Sequence, residues 1–120
     1  MMDTKAAPST IDRFTHILSA IDAVEEALRG ISEGALADDR RRRLALERLF
    51  EIISVASDHI PASLKAVENS VDWQTIADIG VRLEDTRNRI ETKVLWMISE
   101  DTLIPLKACA KRRIREPNRQ

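Results

Sequence analysis

The stretch STIDRFTHILSAIDAVEEALRGI, from Ser9 to Ile31, decides the fold class. Ser9 stands three residues before Asp12, the spacing of a cap in which a hydroxyl and a carboxylate satisfy free amides at a helix start. From there Ile11, Phe14, Ile17, Leu18, Ile21, Val24, Leu28 and Ile31 recur by threes and fours, apart from the adjacent Ile17 and Leu18. That spacing puts them on one stripe, which must face a core. Gly30 and Gly34 then weaken the helix, and Asp38 or Asp39 is placed to cap a second one running to about His59. Its stripe is Leu46, Leu49, Phe50, Ile53, Ala56 and Ile60, and Pro61 ends it by removing a backbone donor. Ser63 to Val67 reads as a helical turn or more.

The second half repeats the pattern. Asp72 caps a third helix with Trp73, Ile76, Ala77, Gly80 and Leu83 on one side, ending in the charged run around Glu84 to Asn88. A fourth segment begins near Glu91 and carries Val94, Leu95, Ile98, Leu103, Leu106 and Cys109. Pro105 is expected to kink or divide it. Four amphipathic helices with short connections predict an all-α antiparallel up-down four-helix bundle. Residues 1–8 are expected to be a flexible start, residues 9–110 the domain, and residues 111–120 a frayed basic tail.

Composition agrees and narrows the functional classes. The chain has 120 residues, 43% hydrophobic and 32% charged, which suits one globular unit and excludes a multidomain enzyme. With 3 glycines, 4 prolines and no tyrosine, an all-β fold lacks its usual turn and strand residues. The single Cys109 cannot form an internal disulfide, and no apolar run approaches a membrane span, so the expectation is a cytoplasmic protein without membrane attachment. The net charge is −1, but from Lys107 to Gln120 six Lys or Arg face one Glu, leaving that segment +5 and the remainder −6.

Chemistry-bearing residues are few. His16 and His59 fall on different helices, with no Cys or carboxylate pair at zinc-ligand spacing, so neither a metal nor another cofactor is expected. His16 lies beside the first stripe and reads as a partly buried structural histidine, and Cys109 as an inert packed thiol. No glycine-rich phosphate loop or nucleophile elbow is present. The Arg40 to Arg43 run, with Asp38, Asp39 and Glu47 nearby, reads as a solvated face. Arg82, Arg87 and Arg89 are interleaved with Glu84, Asp85 and Glu91, an arrangement that ion pairing explains. With Lys111, Arg112, Arg113, Arg115 and Arg119 they suffice to contact several phosphates, but there are almost no aromatics to stack on bases. Contact with RNA would run through its backbone.

In the second half the residue order is similar to that of the HepT toxin family, small helical domains of the HEPN group. One version of that family opens the third helix with a hydrophobic-x-Trp, then an Ile, then Gly-Asn-x-Leu-Arg-His-x-Tyr-His-Arg-Ile, then Leu-Trp and Leu-Pro-x-Leu. This chain has Val71, Asp72 and Trp73, then Ile76, then Gly80, Leu83, Arg89 and Ile90, then Leu95 and Trp96, then Leu103 and Leu106. Asp12, Ile17, Leu18 and Ile21 resemble the family's opening helix, and Leu49, Glu51, Ile52 and Ile53 its Leu-Glu-Ile-Ile segment. The resemblance covers roughly residues 10–108.

It implies a homodimer, metal-independent RNA cleavage by an Arg and a His, and a nucleotidyltransferase antitoxin as partner. In such chemistry histidine moves protons at the 2′-hydroxyl and leaving oxygen, while arginine stabilises the attacked phosphate. Here the motif arginine falls on Gly80 or Glu84, the histidine on Asp85 or Asn88, and the tyrosine that some antitoxins modify with AMP falls on Arg87. No histidine occurs after His59. The expectation is therefore a catalytically degenerate dimeric binding or assembly partner. Its alternative is a ribonuclease rebuilt from Arg82, Asp85, Arg87 and Asn88, and a third reading is a dimerisation module unrelated to RNA. Arg87, Arg89, Lys111, Arg112 and Arg113 are the expected RNA contacts, and Trp73, Leu83, Trp96 and Ile98 part of the dimer surface.

Overall fold

The computed structural model describes residues 8–85 and 90–116, and among these the chain is helical with no strand. Seven α-helices follow one another: α1 (Thr10–Leu28), α2 (Glu33–Ala37), α3 (Arg40–Asp58), α4 (Ala62–Val67), α5 (Trp73–Glu84), α6 (Thr92–Met97) and α7 (Leu103–Arg115), with a π-helical turn at Ile98–Thr102 between the last two. The all-α expectation holds.

Local chemistry explains most of the starts. The Ser9 hydroxyl accepts the Asp12 amide at 3.1 Å and the Asp12 carboxylate accepts the Ser9 amide at 3.1 Å, completing the reciprocal cap. Asp39, rather than Asp38, caps α3 by accepting the Arg42 amide at 3.0 Å. Asp72 accepts both the amide and the hydroxyl of Thr75, and these bonds hold its carboxyl below the usual range. Gly30 follows α1 at φ 76°, a left-handed conformation in which a side chain would be strained. Ser32, which the sequence reading passed over, then caps α2, whose Leu36 is wholly buried.

Pro105 does not break the fourth segment. Helical backbone runs from α6 into α7 through the π turn just ahead of the proline: Met97, Ile98, Thr102 and Leu103 all keep right-handed helical angles, and the Leu103 amide still bonds the Ile98 carbonyl. The basic end differs from expectation. α7 continues through Arg115 instead of fraying from Lys111, because Ala110 is buried, Ile114 packs on the core and two arginines find a partner described below.

The core gathers Phe14, Ile17 and Ile21 of α1, Leu36, Leu46, Phe50 and Ile53 of α2 and α3, Ile76 of α5, and Ile90, Leu95 and Leu106. Each such side chain contributes about 1.5–3 kcal/mol by leaving water. α1 packs on α3 and α7, and α3 on α5. At that last contact a Cβ on Gly80 would stand 2.0 Å from Ser54 Oγ and 2.7 Å from Ser54 Cβ. Rotating the hydroxyl would relieve the first clash but not the second. Gly80→Ala is thus expected to lower stability by about 1–3 kcal/mol in urea unfolding. Gly34→Ala, whose new methyl meets only Ser32 Oγ at 3.9 Å, should instead be neutral or stabilise by up to about 1 kcal/mol.

Candidate functional site

The segment resembling the family motif leaves the C-terminal end of α5. Arg82 and Glu84 are exposed on its last turn and Asp85, the residue that caps it, is half-buried. Glu84 and Asp85 put two carboxylates at that end of the helix, so a phosphate approaching them meets like charge. Arg87, Asn88 and Arg89, named above as catalytic or RNA-contacting candidates, lie outside the described residues. Ile90, the next described residue, is 1% exposed and belongs to the core.

Ile90, Glu91 and Thr92 line a pocket of about 320 Å³ with Ala37 and Arg43. Arg43 was read from sequence as part of a solvated run, and the structure corrects this. Arg40 and Arg41 are exposed and Arg42 pairs with Asp39 at 3.5 Å, whereas Arg43 is only 9% exposed. Its position decides the difference, because residue 43 continues the inward stripe of Leu46, Phe50 and Ile53. Its Nε and Ser57 Oγ are the buried side-chain polar atoms without a hydrogen-bond partner among the described residues. A donor left in that state costs about 1–3 kcal/mol. The signal available in the sequence was a cation in line with an apolar stripe.

The histidines also differ from expectation. His16 is exposed, since it falls off the line through Phe14, Ile17 and Ile21. It borders a groove of about 310 Å³ between α1 and α3 with Arg13, Arg48, Glu51, Ile52, Val55 and Ala56, in which Arg48 is tied to Glu51 at 3.0 Å. His59 is exposed at the end of α3, its Nδ1 2.9 Å from the Val55 carbonyl. Cys109 is buried as expected. Burial, then the neighbouring Glu68 charge, pushes its thiol up to about 12. No group of His, Cys, Asp and Glu suited to a metal occurs among the described residues.

Of the tail cations, Lys111 is exposed, but Arg112 and Arg113 are engaged. Both bond Glu68, a carboxylate 6% exposed between α4 and α5, Arg113 through Nε at 2.6 Å and Arg112 through Nη2. Burial alone would raise the Glu68 pKa, but the two guanidiniums outweigh it and hold the carboxyl below its ordinary value. Composition gave no sign of this pairing, because 44 and 45 residues separate the partners. Trp73 belongs to the same corner. Its indole donates to the Glu68 carbonyl at 3.1 Å and Lys65 lies over its ring at 5.5 Å. Of the four expected dimer residues, Trp73, Leu83 and Trp96 are half-buried against the core, while Ile98 is 3% exposed and has almost no surface to offer.

Comparison with known proteins places these features in a family setting. The family model described as Ribonuclease HepT-like matches residues 17–113. A relative from Thermococcus cleftensis named Probable ribonuclease HepT is 28% identical over 96 residues, covering 80% of this chain and 87% of its own. No solved structure matches.

Glu68→Gln should lower stability at pH 7 by about 1–3 kcal/mol, the scale of a hydrogen-bonded charge lost from a buried position. The sign with pH follows from the lowered pKa. The carboxylate's contribution is complete above its unfolded value and is lost as pH falls through the lower folded value. Urea midpoints of wild type and variant should therefore converge under acid and diverge towards neutrality.

Proposed function

The chain belongs to the HepT-like ribonuclease family, and on that premise we propose that it is a dimeric binding and assembly protein of the cytoplasm that has given up RNA cleavage. The observation that carries this reading is the replaced Arg–His motif. The family resemblance sets its arginine on Gly80 or Glu84 and its histidine on Asp85 or Asn88, and no histidine follows His59. Metal-independent cleavage needs a group that takes a proton from the 2′-hydroxyl and another that gives one to the leaving oxygen. That exchange is worth about 10² to 10⁴ in rate. A carboxylate does not replace an imidazole in that exchange, because imidazole is the side chain that both takes and gives protons near neutral pH.

The partners proposed are a second copy of the chain, RNA held through its backbone, and a nucleotidyltransferase-type antitoxin. Support for a second copy comes from apolar side chains left in water: Val81 at 66%, Met97 at 47% and Ile104 at 63% exposed. With half-buried Leu83 and Trp96 they offer more surface than Ile98 does.

Purified protein incubated in EDTA with mixed tRNA and mRNA is expected to leave both intact, even at high protein concentration. Cleavage that disappears in Arg82→Ala and Asp85→Ala would overturn this reading and establish a rebuilt nuclease. Sedimentation at micromolar concentration should give the mass of a dimer, and Val81→Glu should shift it towards monomer without loss of helicity.

A further inference from the structure

We propose that the pocket formed by Ala37, Arg43, Ile90, Glu91 and Thr92 is a phosphate-binding site in which the Arg43 guanidinium is the principal donor. Arg43 is the buried member of a run whose other three arginines remain at least partly in water. Its Nε is buried and has no hydrogen-bond partner among the described residues, while the side chain lines the pocket. Guanidinium offers only donors, so whatever completes it must bring acceptors. The Glu91 carboxylate borders the same pocket, but no ion pair joins it to Arg43, and it remains exposed. Among the described residues, then, the chain supplies no acceptor to this Nε.

A phosphate group fits these demands. Its oxygens match the planar fork of a guanidinium two at a time, and its charge compensates a cation held away from water. The space of about 320 Å³ admits a phosphate with part of its ester. Arg41 and Arg42 line a separate surface pocket with Asp39 and are not part of this one. Glu91 works in the opposite direction, and this gives the proposal a second handle. Removing its charge should strengthen binding, while removing that of Arg43 should weaken it. The proposal deepens the binding reading above and rests on it only for the source of the phosphate, which is either an RNA backbone or a free phosphate.

The test uses the full chain and inorganic phosphate at constant ionic strength against chloride, read by thermal unfolding and phosphorus NMR. The wild type is expected to gain Tm saturably with phosphate and to broaden its resonance. Arg43→Gln should bind at least about tenfold more weakly, the scale of a charge-assisted hydrogen bond. Glu91→Gln should bind several-fold more tightly and Arg41→Ala much as wild type does. An equal response in wild type and Arg43→Gln, or none in either, overturns the site. Should Arg43→Gln not fold, Glu91→Gln decides, because unchanged affinity there also overturns it. A ten-nucleotide single-stranded RNA then identifies the source. Binding that weakens in Arg43→Gln supports an RNA backbone, whereas RNA binding indifferent to Arg43 beside an intact phosphate response overturns that source and retains the free phosphate. Cleavage of RNA by the wild type would refute the loss of nuclease activity and leave the phosphate titration standing.

Discussion

Where α5 crosses α3, Gly80 lies so close to Ser54 that no methyl group fits between them, and the layout of the site end follows from that contact. Eleven residues separate Arg43 from Ser54 along α3, about 16 Å of helix axis. Ten separate Gly80 from Ile90. Gly80 thus meets the late part of α3 while Ile90 shares a pocket with its early part. Ile90, at the end of the family-like segment, thereby lines the same pocket as Arg43. A larger residue at position 80 would push α5 outward and loosen the packing against α3.

Charge is used in two different ways around this frame. Lys107 reaches Glu25 of α1 at 2.8 Å on the surface, a contact that water and salt weaken. Glu68 is different, because its carboxylate is buried and both its oxygens are taken. Removing either arginine leaves a half-satisfied anion, whereas removing a surface partner leaves a solvated one. The C-terminal cations are consequently not interchangeable. Two of them complete the fold, and the positive field that the sequence suggests for residues 107–120 is smaller than its formal charge.

Much of the architecture was legible because it depends on neighbours in sequence. The Ser9–Asp12 and Asp72–Thr75 caps, the stripe of α1 and the helical irregularity ahead of Pro105 each involve residues within a turn or two. What escaped reading depends on distance or on rotation about a helix. Glu68 is an ordinary polar residue in a linker until Arg112 and Arg113 arrive from the far end of the chain. Arg43 belongs by composition to a basic run and by phase to a core stripe, and phase prevailed. His16 shows the converse, since adjacency to Ile17 suggested burial while a 100° step turned it to solvent. At the family-like segment the scaffold positions Gly80, Leu83 and Ile90 were recognisable. The unpartnered Nε of Arg43, in the pocket that Ile90 lines, was not.

The thiol of Cys109 has a use that its inertness creates. It is buried on α7 beside the Glu68 corner and almost wholly protonated at neutral pH. A disulfide reagent in solution meets it only when α7 lifts away from α1 and that corner opens. The rate of labelling therefore counts those openings, and the native chain carries its own clock for the detachment of its last helix.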